Sequence, residues 1–206
     1  MSYCFATCTN GIRNAAPGGE SDGDVNLGYF TCDEAKGGVY ISRKGSGNYN
    51  TGGGIKLPLK GGKTSVGPKS IALLVKHGEE TGPVPRELML QGDNYNSIIL
   101  NSEEYPKARG EFATCPGSKK FLGPISNVYS KTEFVLVVLR SGALGTAMFR
   151  NGVKIASNDC TNLPSEATRL GLGFNEFIGT FKSFAMWNRE LSDQEIASLD
   201  PTKLTC

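Results

Sequence analysis

Apolar residues along this chain recur with period two in short runs, broken by clusters of glycine, asparagine, proline and serine. That period marks strands with one buried and one exposed face, and the breakers are turn residues. Val39-Tyr40-Ile41, after Gly37-Gly38, makes one strand. Ile55-Lys56-Leu57-Pro58-Leu59 alternates, and its proline predicts an edge strand or a strand end. Ser70 to Lys76 is a continuous apolar run that predicts a buried central strand, followed by strands at Glu87 to Gln91 and Ser97 to Leu100. Glu133 to Arg140, rich in β-branched residues, predicts a second central strand. Thr146 to Arg150 runs into Asn151-Gly152 and out through Val153 to Ala156. Asn-Gly supplies the two positive φ angles of a type I′ turn, so this is a hairpin. Arg169 to Phe174 and Phe177 to Trp187 are two further strands.

The one persuasive helix lies at the end of the chain. Ser192 and Glu195 form a capping box, Ile196 and Leu199 follow at helical spacing, and Pro201 stops the helix after about two turns. One helix among many short strands predicts an all-β sandwich or barrel. The 27 glycines are scattered without a period and punctuate the turns. No linker, charge block or repeat divides the 206 residues, so residues 1–206 are expected to form a single domain.

The last third shows several parts in a recognisable order. A buried strand from Phe134 to Leu139 precedes Phe149-Arg150-Asn151-Gly152-Val153, then Leu170-Gly171-Leu172-Gly173 and Phe177-Ile178-Gly179-Thr180-Phe181. Phe184 to Ile196, with Trp187-Asn188-Arg189-Glu190-Leu191-Ser192, closes the series. Over residues 132 to 200 this resembles the laminin-G-like and pentraxin-like branch of the concanavalin-A-like superfamily. The resemblance implies an antiparallel two-sheet jelly-roll sandwich with one short C-terminal helix. It implies no single ligand, because the superfamily hosts lectins, adhesion modules, glycosidases and lyases. From the residues themselves, Gly179 is expected to permit a bend or close approach, Trp187 to be a core aromatic, and the capped helix to cover an end of the sandwich.

A net charge of +2, with lysines and arginines dispersed, argues against nucleic acid as a partner. No apolar run approaches membrane-spanning length. The first residues, Met1-Ser2-Tyr3-Cys4-Phe5, carry neither a basic segment nor an apolar core, so no signal peptide is visible. Six cysteines, Cys4, Cys8, Cys32, Cys115, Cys160 and Cys206, are even in number and widely spaced. Zinc would need close pairs, and only Cys4 and Cys8 are close, so disulfides in an oxidising compartment are expected, with the pairing left open. A terminal staple from Cys206 to Cys4 or Cys8 is preferred, because the first and last strands of a jelly roll often lie side by side. The expected location is extracellular or surface-displayed.

Catalysis finds little support. The lone histidine, His77, closes a predicted strand and reads as an ordinary surface or rim residue, and no G-x-S-x-G elbow accompanies it. Glu79-Glu80 and Glu103-Glu104 are adjacent pairs that point to opposite faces of an extended chain, unlike a glycosidase pair. Gly61-Gly62-Lys63-Thr64 mimics the end of a phosphate loop, but Leu57 occupies the first glycine position. The chain is therefore expected not to be an enzyme.

Two binding chemistries remain. Asp22, Asp24 and Asn26 alternate in a glycine-rich loop, which reads either as a polar turn or as hard oxygen ligands for Ca²⁺. Asn158-Asp159 with Asn162, and Asn175-Glu176, are further loops of that composition. For a glycan, Asp93-Asn94-Tyr95-Asn96 offers a carboxylate, amides and an aromatic face, and Tyr49 between Asn48 and Asn50 repeats the pattern. The expected ligand-binding set is thus Asp93, Asn94, Tyr95, Asn96, Tyr49, Asn175 and Glu176. The leading expectation is a lectin-like, carbohydrate-binding module with a glycan or glycoprotein partner. A structural or adhesive module that binds protein or its own copies is the alternative.

Overall fold

The computed structural model describes residues 2–4, 13–14, 30–33, 37–41, 55–57, 59, 62–79, 81, 85–92, 97–101, 107–164, 166–175, 177–201 and 204. The alternating runs become strands of two antiparallel sheets. In sheet 1 the central strand β6 (Lys69–His77) lies between β11 (Val135–Gly142) and β15 (Gly179–Trp187). Beyond β11 come β12 (Gly145–Arg150) and, at the edge, β13 (Val153–Asn158). On its far side β15 pairs with β1 (Ser2–Cys4) along one half and β4 (Gly38–Ile41) along the other. β2 (Arg13–Asn14) pairs with β1, and β3 (Phe30–Asp33) with β4. Sheet 2 has the order β10 (Phe121–Ile125), β9 (Ala108–Phe112), β8 (Ser97–Asn101), β7 (Pro85–Gln91), β14 (Arg169–Asn175) and β5 (Ile55–Leu57).

The two apolar runs became the centre of sheet 1, as continuous hydrophobicity predicts for strands buried on both faces. Ile71, Leu73 and Val75 of β6 and Val135, Val137 and Leu139 of β11 face Leu88, Leu90, Leu170 and Leu172 of sheet 2 in the interior. β5 stands at a sheet edge with Pro58 just past its end, as the proline required. At the β12–β13 turn Asn151 and Gly152 hold φ of 48° and 81°, the two left-handed residues of a type I′ turn. The first and last strands lie side by side, since β1 pairs with β15. The cysteine staple expected there falls on Cys8 and Cys206, which lie outside the described residues, as do the side chains of Cys4 and Cys32.

The opposite face of sheet 1 is apolar as well. Ala72, Leu74, Leu136, Val138, Phe149 and Ala185 form a second cluster with Leu191 and Ile196. The helix α1 (Asp193–Ala197) therefore lies on the outer face of sheet 1 rather than over an end of the sandwich, and it is shorter than expected. A continuous apolar strand has two faces to cover, and the inner sheet covers only one. Trp187 is half-buried against this outer cluster rather than in the interior. Gly179 is a close-approach position, where a Cβ would meet the Lys76 carbonyl oxygen at 2.3 Å.

Buried Arg140 reaches Asp193 and the Leu191 carbonyl from beneath α1, and the full capping box is present at Ser192 and Glu195. Hydrogen bonds from Arg189, first, and from the Ser192 backbone and hydroxyl hold the Glu195 carboxyl down at about 2. A depressed carboxylate stabilises the fold above its unfolded value near 4.5, and that contribution is lost as pH falls through about 2. In an NMR titration the Glu195 carboxyl carbon should turn over near pH 2, with α1 amides exchanging faster below it. A midpoint above 4 would contradict the cap geometry.

Candidate functional site

The outer face of sheet 2 includes two strands, β9 and β10, that the apolar pattern alone does not reveal. β9 reads Ala108-Arg109-Gly110-Glu111-Phe112: positions 108, 110 and 112 are buried, while Arg109 and Glu111 are half-buried on the other side. Gly110 stands where an apolar residue would complete the alternation, packed against Met148, Leu139 and Phe112. Neighbouring strands supply the same parity, with Leu100 inside and Ile99 and Asn101 outside.

Register then gathers these residues into rows. Arg109 pairs with Asn101, Asn101 with Arg86, and Arg86 with Phe174. A second row runs from Phe121 through Glu111, Ile99 and Met89 to Gly171. A side chain at Gly171 is excluded by the ring of Phe174, which a Cβ would meet at 2.3 Å. The Arg109 guanidinium lies 3.6 Å from the centroid of Phe121, a cation–π contact that holds the group flat. Lys120 engages Glu111 at 2.6 Å, and Arg86 touches the sulfur of Met89 at 3.9 Å. The Nε of Arg86 and the Oδ1 of Asn101 are shielded from solvent and make no hydrogen bond. On this face Arg86, Asn101, Arg109 and Phe121 are half-exposed, while Phe174 and Met89 are buried.

Arg86 reaches this face because the β7–β8 register shifts between Arg86 and Leu88. A bulge of this kind re-aims side chains. Glu87, next in sequence, is sealed in the interior with its Oε1 3.2 Å from the Nε2 of His77, both side chains fully buried. His77 stacks on Tyr129 at 4.3 Å and meets the edge of Phe177 at 5.3 Å. Burial pushes the Tyr129 phenol well above its ordinary value, and the charge of Glu87 and its hydrogen bond act in the same direction. His77 is thus an interior residue and not the rim residue expected. It continues the inward parity of Ile71, Leu73 and Val75, which place position 77 on the core face.

Cys115 and Cys160 form a disulfide, with Cα atoms 5.9 Å apart, joining the turn after β9 to the segment after β13 and so sheet 2 to sheet 1. Around it Asn158 accepts from Thr146 and from the Cys160 amide, Asp159 pairs with Lys119 at 2.8 Å, and Asn162 donates to the Thr114 carbonyl. The loop considered for Ca²⁺ here spends its side chains on these ties. No group of three or more His, Cys, Asp or Glu poised for a metal occurs among the described residues. Thr64, which closes the phosphate-loop mimic, serves as a tie, its hydroxyl accepting from the Ala167 amide.

Of the expected ligand-binding residues, Asn175 is described. It ends β14 beside Phe174, half-buried, in the left-handed region at φ 59° that asparagine tolerates. Asp93, Asn94, Tyr95, Asn96, Tyr49 and Glu176 lie outside the described residues, as do Asp22, Asp24 and Asn26. The arginine row itself went unread in the sequence. Its only signal there was charged residues alternating with Ala108, Gly110 and Phe112.

No protein-family model matches the sequence, and no curated protein matches it. Among solved structures, Trypanosoma rangeli sialidase in complex with sialic acid is similar at TM-score 0.55 and 16% identity. That match covers 78% of this chain and 27% of the sialidase, so the chain spans only a minor part of that enzyme. The CBM40 of Ruminococcus gnavus IT-sialidase, bound to α2,3-sialyllactose, is similar at TM-score 0.51 and 14% identity, over 76% of this chain and 96% of that one. Domain 4 of AbnA, an extracellular GH43 arabinanase from Geobacillus stearothermophilus in complex with arabinotriose, is similar at TM-score 0.52 and 16% identity, over 78% and 81%. At such identities the likeness concerns the fold, and in fold this chain is an antiparallel two-sheet β-sandwich of the concanavalin-A-like jelly-roll kind.

Proposed function

We propose that this chain is a non-catalytic carbohydrate-binding module whose ligand lies on the outer face of sheet 2. The observation that carries the reading is the half-exposed row Arg109–Asn101–Arg86, with the half-exposed ring of Phe121 beside it. Guanidinium and amide groups hydrogen-bond sugar hydroxyls, and a ring takes the C–H face of a pyranose. Two similar folds supporting the reading were solved with saccharides bound, sialyllactose in one and arabinotriose in the other. The sealing of His77 and Glu87 in the interior favours binding over turnover. Asp93 to Asn96, Tyr49, Asn175 and Glu176 are proposed to contribute to ligand binding as well. A laminin-G-like affinity within the fold, Ca²⁺ at Asp22, Asp24 and Asn26, and an extracellular setting belong to the same proposal.

A glycan array probed with and without Ca²⁺ tests it. Specific saccharide binding that falls at least tenfold in Asn101→Ala and in Tyr95→Ala is the expected result. A second reading, self-association, draws on β13 at the edge of sheet 1, where Val153 is 66% exposed. A blank array together with concentration-dependent assembly in sedimentation would favour that reading and overturn the first.

A further inference from the structure

We infer that Lys76 and Lys182, on the outer face of sheet 1, form a binding site for a tetrahedral oxyanion, the sulfate or phosphate ester of a larger ligand. The site lies on the opposite sheet from the proposed glycan face and does not depend on that reading. The first ground is how the lysines are paired. Lys63, Lys119, Lys120, Lys131 and Lys154 each reach a carboxylate within 3.4 Å. Lys76 and Lys182 instead converge on one ring, with their ammonium nitrogens 5.1 and 5.5 Å from the centroid of Phe134. Neither pairs with a carboxylate among the described residues. Glu133, beside Phe134 in sequence, lies 3.8 Å from Arg150, and Glu79 lies 3.4 Å from Lys131. The ring quadrupole attracts both cations but cancels neither charge. Two like charges held over one ring repel, and an anion between them relieves the repulsion.

The second ground is how the strands place the two side chains. Val75 and Phe181 point into the interior, so Lys76 and Lys182, one position on, take the outer face. Val75 pairs with Val135, which sets Phe134 beside Lys76. On the other side Lys76 pairs with Thr180, and Thr180 with Tyr40. Lys182 is the extra residue where the β15–β6 register shifts between Phe181 and Ser183, and a bulge re-aims such a side chain. Both lysines and Phe134 are half-buried, an arrangement in which lysine stems pack while the charged heads reach water. The third ground is the chemistry of the donors. A planar carboxylate is matched by a guanidinium fork, and neither donor here is one. A lysine ammonium is a compact point charge with three donors that rotate. A tetrahedral oxyanion presents oxygens in every direction, so two ammonium groups approaching from different strands each find one. Sulfate and phosphate esters share that geometry.

The test is an NMR titration of the isotopically labelled full chain, followed at the lysine side-chain and Phe134 signals. The probes are sodium sulfate, sodium phosphate, glucose 6-sulfate, glucose 6-phosphate and glucuronate, each against sodium chloride at equal ionic strength. The expected result is saturable shifts centred on Lys76, Lys182 and Phe134 with sulfate or phosphate, and none that saturate with chloride. Lys76→Gln and Lys182→Gln should each weaken binding about tenfold, the size of a lost charge-assisted hydrogen bond. Lys182→Arg, which keeps the charge, should hold it within about threefold. Tighter binding of glucose 6-sulfate supports the site with a sulfated ligand, and tighter binding of glucose 6-phosphate supports it with a phosphorylated one. Glucuronate bound as tightly as both esters overturns the tetrahedral assignment. Shifts that track ionic strength whatever the salt, or binding undiminished in the two glutamine variants, overturn the site itself. The comparison of anions uses the unaltered protein and stands even where a variant fails to fold. Failure here leaves the glycan reading standing, because that reading is tested on the other face.

Discussion

Glu87→Ala is expected to destabilise the fold by about 3–5 kcal/mol, the range for breaking a buried polar pair by removing one partner. Both partners are fully buried, and their atoms stand 3.2 Å apart across the two sheets. Truncation leaves the His77 imidazole and the Tyr129 phenol without the carboxylate they face, and it opens a void among Phe177 and its neighbours. The cost should not reflect lost attraction alone. In the double variant His77→Phe, Glu87→Leu, with similar volume and no polar atoms, most of the stability should return. Urea unfolding of the two single variants and the double completes a cycle, with midpoints read at constant m. A single-variant loss below about 1 kcal/mol would mean that the pair contributes nothing and that the interior relaxes around the void.

Removing the Cys115–Cys160 bond should cost nearly as much. The bond closes a loop across a sequence separation of 45 residues, for which the chain-entropy relation gives about 4 kcal/mol. Cys115→Ala, Cys160→Ala together avoid a stray thiol, and both sites are buried, so alanine also leaves small voids. The staple joins the β9 turn of sheet 2 to the end of β13 in sheet 1, within the knot made by Asn158, Asp159 and Asn162. Its loss should therefore show first as faster amide exchange at β10 and β13, before the centre of sheet 1 is affected. A melting temperature unchanged within a degree would show that the surrounding hydrogen bonds suffice without it.

Much of the architecture could be read from neighbours in sequence. Asn151-Gly152 demands two left-handed residues wherever it occurs, and the hairpin follows from that. Ser192 and Glu195 satisfy each other's backbone within one turn. The runs at β6 and β11 are too apolar to leave either face wet, so they became central strands. β9 escaped notice because Gly110 contributes its backbone, not a side chain, to the interior. His77, at a strand end, reads as a rim residue in the sequence, but its parity with Val75 places it inside.

The candidate site was far less legible. Arg86, Asn101 and Arg109 are separated by turns and share no motif; they meet because three strands align in one register. Whether Arg86 or Glu87 faces outward is decided by a single register shift, which the residues of β7 do not announce. The partner of Cys115 was one choice among many until the two sheets brought Cys160 within 5.9 Å. Local propensity and the two-residue period act through bonds a few positions apart, and they determined the strands, the hairpin and the cap. Lateral register, the covering of the outer face by α1, the disulfide and the arginine row depend on contacts between distant segments, and only the packed sheets decide those.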